Sequence, residues 1–193
     1  MKQYLPIIAL TAVAAFSCNR ETVEGKGDKA PSRIGFATQL TRGNTITDPA
    51  SLAEKGGFNV WAFSHAAKWS ENPAKTPLLD GTHVTGTVSG SDIIWDYGTQ
   101  IDWPENEYVS FFAYGPAESA TVSGTTIDGI PAIDFTVATS PQQQTDLLIA
   151  TPVYDQTGPM YSNSKPVGIF FNHALSRIGF SGLLLNNDDQ RVR

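Results

Sequence analysis

The sequence predicts an all-β sandwich. Three observations carry that prediction. Apolar runs are short and lie between Gly, Pro, Asn and Asp punctuation. Several runs alternate apolar with polar residues at period two. No stretch sustains apolar residues at helical spacing for a useful length. We find no internal repeat. Many short strands at such spacing make a sandwich.

The elements follow in order. Arg33–Thr38 (RIGFAT) is the first strand. Ser51–Glu54 is one helical turn, capped by serine and closed by Gly56-Gly57. Phe58–His65 is apolar on both parities in its middle, which predicts cover on both faces. Thr82–Val88 sets Val84 and Val88 against threonines, a half-buried strand, and Ile93–Trp95 follows. Glu107–Tyr114 is densest in aromatics, which predicts a central position ending at Gly115-Pro116. Thr121–Val137 holds a hairpin about Asp128-Gly129, with Ile133, Phe135 and Val137 alternating against polar neighbours. Pro131 has no N–H to give a ladder, so its part of the hairpin is an edge or lies outside the pairing. Leu147–Ala150 is a short strand. Val167–Phe180 is the last, with a slip in parity that predicts a bulge or a break near Ser176-Arg177.

In front of these strands stands MKQYLPIIALTAVAAFSCNRE. Lys2 gives a positive start. Tyr4–Phe16 is an apolar run of signal-peptide length, and Ala14, Ala15 and Ser17 lead to Cys18, the one cysteine in 193 residues. This is the layout of a bacterial lipoprotein signal: residues 1–17 are removed and Cys18 carries the acyl chains. The competing reading is an ordinary secretory signal with a chance cysteine. Each buried methylene adds about 0.8 kcal/mol, so several chains on one residue anchor firmly to a membrane. A single cysteine excludes a disulfide framework and a cysteine-rich zinc site. Removing residues 1–17 leaves 176 of the 193, enough for one well-cored domain or for one domain plus part of a second. Residues 18–32 are polar and read as a flexible tether.

The formal charge of −6 argues against nucleic acid as a partner. The chain has no His-Glu-x-x-His, no phosphate-binding Gly-x-x-x-x-Gly-Lys and no Gly-x-Ser-x-Gly. His65, His83 and His173 lie in separate strands and read as structural. Asp188-Asp189 reads as a polar turn. Asp96, Asp102 and Glu105 stand near tryptophans without pairing recognisably. No catalytic residue, metal ligand or cofactor is expected. The tryptophans, Trp61, Trp69, Trp95 and Trp103, either fill a core or stack on sugars. Trp69, within KWSEN, is the candidate for exposure.

Several stretches resemble one family. WDYGTQIDWP (95–104), YVSFFAYGP (108–116), QQTDLLIA (143–150), VGIFFNHALSRIGF (167–180) and IGFATQLTRG (34–43) are together similar to segments of the fimbrillin-like proteins, in that family's order. The resemblance implies a non-enzymatic surface or pilus protein of Gram-negative gut and oral anaerobes. It implies two sandwich domains of transthyretin-like topology and export as an outer-membrane lipoprotein. It also implies cleavage by an arginine-specific protease after the first strand, and assembly by an extended strand from another subunit entering the vacated groove. Carried onto this chain, the cut falls after Arg42; Arg33 precedes the strand, and cutting there opens nothing. The expected partition is an N-terminal sandwich over 33–165 and, over 166–193, the start of a second domain that is mostly absent. Val167–Leu185 then lies loose, folds back, or serves a neighbour as donor. The expected partners are other subunits, the membrane through the lipid on Cys18, and a host or glycan receptor. The alternative is a surface glycan-binding lipoprotein that uses exposed tryptophans.

Overall fold

The structure is a computed structural model that describes residues 33–41, 46–125, 129–158, 165–175, 184–185 and 191–192. Cys18, Arg42, the Ser176-Arg177 bulge and the Asp188-Asp189 turn lie outside the described residues. The elements are β1 (Phe36–Leu40), α1 (Pro49–Glu54), β2 (Phe58–His65), β3 (Thr76–Ser89), β4 (Asp92–Asp96), β5 (Tyr108–Gly115), β6 (Thr121–Thr125), β7 (Pro131–Asp134), β8 (Leu148–Ala150), β9 (Val153–Gln156), β10 (Val167–His173), β11 (Leu184–Leu185) and β12 (Arg191–Val192).

The main sheet runs β1-β10-β8-β5-β2-β3-β4, and β9 also pairs with β5. β8 meets the end of β5 at Tyr114 and Gly115, while β9 takes the same strand at Val109 and Phe111. β3 is long enough to serve two neighbours. Its first part pairs with β2 as far as Val84, and Thr85–Ser89 pairs with β4. That division lets the sheet curl until its ends face each other. Phe36 on β1 lies 5.5 Å, ring to ring, from Tyr97 just past β4. The aromatics between them, Phe58, Trp95, Phe111 and Phe171, fill the space enclosed. The chain is an all-β sandwich, as predicted.

Both faces of the central strands are covered. Phe58, Val60 and Ala62 of β2 point with Val109, Phe111 and Ala113 of β5 into the main core. On the other face Trp61, Phe112 and Tyr114 pack under Ile130, Ile133 and Phe135, which belong to the β6–β7 hairpin and its flanks. This explains why neither strand shows a polar parity.

Five details depart from the expectations. The first strand lies at Phe36–Leu40, slightly later than RIGFAT. The cap of α1 is Asp48, not serine: its carboxylate accepts from the Ser51 N–H at 2.8 Å, while Ser51 Oγ accepts from the Asp48 N–H at 3.2 Å. β3 begins at Thr76, ahead of the expected Thr82, and β9 was not expected at all. The boundary expected at 165/166 does not divide the packing. β10 lies inside the main sheet, and Val167, Ile169 and Phe171 join the same core as β2 and β5.

α1 docks against β3 through a close backbone approach. Gly57 sits at φ +75°, and a Cβ there would stand 1.9 Å from the Val84 carbonyl oxygen. Gly56, at φ +92°, has no atom within 4 Å of such a Cβ. Gly56→Ala is therefore expected to cost about 1 kcal/mol, the left-handed backbone penalty alone. Gly57→Ala adds a backbone clash and is expected to cost several times as much. Urea unfolding midpoints of the two variants check the ratio; equal losses would contradict this packing.

Candidate functional site: the β1 edge strand and its slot

β1 ends the sheet, yet it carries core residues. Its register places Phe36 beside Val167, Thr38 beside Ile169 and Leu40 beside Phe171, parallel to β10. Every other described strand pair is antiparallel. Alternate side chains point inward, as a strand's period of two requires. Ile34, Phe36 and Thr38 are 0%, 6% and 8% exposed, while Gln39 faces solvent. The Phe36 ring touches Phe58, Tyr97 and Phe111 at centroid distances of 6.0, 5.5 and 6.0 Å. Burying a side chain of this size contributes about 1.5–3 kcal/mol.

The lead-in to β1 is clasped from both sides. The Ile34 N–H donates to the Ile101 carbonyl at 2.8 Å, and the Val167 N–H donates to the Gly35 carbonyl at 2.7 Å. Tyr97 Oη donates to the Ile34 carbonyl at 2.6 Å and accepts from the Ile101 N–H at 3.3 Å. Burial pushes the Tyr97 phenol above its ordinary pKa, since the buried hydroxyl loses water that would stabilise its anion.

The far end of β1 is held by His173. One ring nitrogen lies 3.0 Å from the Thr41 carbonyl and the other 2.7 Å from Asp146 Oδ2. Both partners are acceptors, so the ring makes both bonds only with hydrogen on both nitrogens. The Thr41 N–H also donates to the Phe171 carbonyl at 3.0 Å. Arg42, the expected cleavage residue, is the next residue along the chain.

One inward position fits poorly. Thr38 Oγ1 is buried and has no hydrogen-bond partner among the described residues. Such a group costs about 1–3 kcal/mol in lost hydration. Nothing in the sequence pattern signals this, because a threonine in a strand is unremarkable there.

The other expected residues lie elsewhere. Trp69, the candidate for exposure, is only 9% exposed. A short 3₁₀ turn, Trp69–Glu71, turns its ring inward onto Phe112 at 5.1 Å, and Lys75 Nζ sits 4.5 Å over the ring. Trp61, Trp95 and Trp103 are buried as well. The tryptophans are core residues, and the exposed stacking platform expected at Trp69 is not present. Of the acidic residues considered, Asp96 accepts the Gly98 N–H on its carboxylate at 3.0 Å, and Asp102 pairs through its backbone with Arg33 in an isolated antiparallel bridge. Among the described residues no cluster of His, Cys, Asp and Glu could hold a metal ion.

Among the described residues, His65, Ser110 and Asp155 form a polar cluster that resembles catalytic machinery. Its geometry is wrong for that use. His65 Nδ1 lies 2.6 Å from the Ala67 carbonyl, so that nitrogen carries the hydrogen. Ser110 Oγ meets Nε2 at 2.8 Å, and Asp155 Oδ1 stands 3.9 Å from the same nitrogen. A hydrolytic triad needs the carboxylate on the nitrogen opposite the serine. Ser110 is also fully buried. Asp155 donates its backbone N–H to Ser110 Oγ at 3.1 Å and accepts the Trp69 N–H at 2.8 Å. The cluster ties the β5–β9 bulge to the Trp69 turn.

A family model for fimbrillin-like proteins matches residues 41–190. The chain belongs to the fimbrillin-like family. A fimbrium subunit, Fim1C, of Phocaeicola vulgatus is 29% identical over 195 residues, covering 92% of this chain and 50% of its own length. This fimbrillin-like chain thus spans about half the length of that curated relative. No solved structure matches it significantly.

Two predictions follow from the slot. Thr38→Val keeps the shape and removes the orphan hydroxyl, so it is expected to raise stability by about 1 kcal/mol in urea unfolding. An equal or lower midpoint would show that the hydroxyl has a partner. Tyr97→Phe deletes the donor to Ile34 and is expected to lower the midpoint at neutral pH. The raised phenol pKa means the neutral hydroxyl stabilises the fold below about pH 10 and stops doing so as pH climbs through the folded-state value. The gap between wild type and Tyr97→Phe should therefore close in alkali, and a constant gap would contradict the Tyr97–Ile34 bond.

Proposed function

We propose that this chain is a non-enzymatic, lipid-anchored fimbrial subunit that assembles by strand exchange at the β1 slot. One observation carries the reading. β1 lies at the end of the sheet order, its inward side chains are core residues, and Arg42 follows it at once. Cutting after Arg42 would leave β1 held without a covalent link to the sandwich. Loss of β1 would expose Phe58, Tyr97 and Phe111, together with the backbone groups of β10 that pair with β1. An apolar slot beside an unpaired ladder is the chemistry of strand addition. The fimbrium subunit named among its relatives supports assembly with like subunits.

Cys18 is the proposed anchor to the outer membrane, with residues 1–17 as signal and residues 18–32 as tether. Adhesion through the assembled fimbria is the proposed role at the cell surface. No cofactor or metal is invoked.

Arginine-specific protease applied to the folded chain is expected to generate a new N-terminus at Gly43 and a ladder of oligomers. Arg42→Ala is expected to abolish both. Cleavage without assembly, or assembly undiminished in Arg42→Ala, would overturn the reading. Metabolic labelling with a fatty acid checks the anchor: Cys18→Ala is expected to lose the label and leave the membrane fraction, and label retained in Cys18→Ala would remove Cys18 as the lipid site.

A further inference from the structure

Of the three histidines, only His173 has pure acceptors within hydrogen-bond distance of both ring nitrogens. His65 faces the Ala67 carbonyl and the Ser110 hydroxyl. A hydroxyl can donate as well as accept, so a neutral His65 satisfies both contacts. His83 has one such contact, to the Gly56 carbonyl, and one N–H suffices for it. At His173 one nitrogen lies 2.7 Å from Asp146 Oδ2 and the other 3.0 Å from the Thr41 carbonyl, and neither partner can donate. The His173 and Asp146 side chains are 14% and 12% exposed, so solvent screens the pair little.

The two contacts differ in strength. Asp146 offers a charged oxygen and Thr41 a neutral one, and a hydrogen bond to an ionised acceptor is about twice as strong. A neutral ring has one N–H. It keeps that hydrogen on the Asp146 side and turns a lone pair toward the Thr41 carbonyl. The contact that breaks is therefore the one to the end of β1. What then holds Thr41 is the Phe171 carbonyl, which accepts from the Thr41 N–H at 3.0 Å and from its hydroxyl at 3.5 Å. β1 brings Gln39, Leu40 and Thr41 to this corner, β8 brings Leu148 in register with His173, and Asn172 and Ala174 flank the ring; all are uncharged. The end of α1 brings Lys55, which lines the same small pocket as Asp146. A lysine does not titrate where an imidazole does.

We propose that His173 and Asp146 form a proton-operated latch on the end of β1. The doubly protonated ring grips Thr41, and the neutral ring lets it go. The grip needs the bound proton, so it is present in acid and lost as pH rises through the imidazole's titration, which for an ordinary histidine is centred at about pH 6.5. The latch belongs to the uncut sandwich. Its consequence for the cut after Arg42 rests on the strand-exchange reading: cutting is slow while Thr41 is gripped and faster once it is released.

The test follows the full, uncut chain by amide hydrogen exchange at about pH 5 and about pH 8, the range across which imidazole titrates. The protection factor of the Thr41 N–H, which corrects for the intrinsic pH dependence of exchange, is expected to fall about tenfold in the wild type. Asp146→Asn is the discriminating variant. Its amide can turn its NH2 group to the ring, which frees the single hydrogen of a neutral His173 for Thr41, so protection is expected to stay high at both pH values. Wild-type protection that ignores pH overturns the latch. So does Asp146→Asn protection that falls as the wild type's does, or that is low at both pH values. The rate of arginine-specific cutting after Arg42, relative to an unstructured peptide of the same sequence, is then measured on both proteins and is expected to track the release of Thr41. A relative rate that ignores pH, beside protection that obeys it, overturns the control of cutting. No cutting at either pH overturns the strand-exchange reading and leaves the latch standing.

Discussion

The packing of Phe36 against Phe58, Tyr97 and Phe111 is the constraint on which the sandwich depends. A curled sheet has two ends, and something must hold them together. Here an aromatic ring from the first strand reaches residues on β2, on β5 and just past β4. The clasp at Ile34, with Tyr97 as donor, closes the same seam with hydrogen bonds. The seam is thus made by a strand at the end of the sheet order, laddered to β10 along one edge. The contact that closes the seam is apolar and non-directional, so it depends on the size and burial of the ring more than on a fixed bonding geometry.

Much of the fold could be read directly. Phe58–His65 was placed to the residue, because its apolar run is bounded by Gly57 and has no competing pattern. The aromatic density of β5 announced its central place. What escaped did so for physical reasons. Val153–Gln156 is four residues long, half polar, and carries Asp155 at φ +56°, so it offers no alternation to read. Pro77 and Gly81 hid the first part of β3, although the proline sits near the strand's start. Asp48 is hard to tell from Ser51 as the cap in sequence, because both have the same capping chemistry and share one box.

The functional region was legible only in outline. Arg42 and Cys18 stand out in the sequence, but the slot does not, since burial of Phe36 among residues far along the chain is a tertiary fact. Trp69 misled because its neighbours in sequence are polar; the turn that carries it leaves Ser70 outside and sends the indole in.

The parallel pairing of β1 with β10 has a mechanical consequence. Parallel strands have their leading ends on the same side. A pull between the start of β1 and the end of β10 therefore drags the two strands past one another along their length. It loads the pairs from Phe36–Val167 to Leu40–Phe171 together instead of opening them one at a time. A tensile load entering through residue 33 thus meets shear resistance, whereas a load that lifts Thr41 away from His173 peels the same ribbon from its other end.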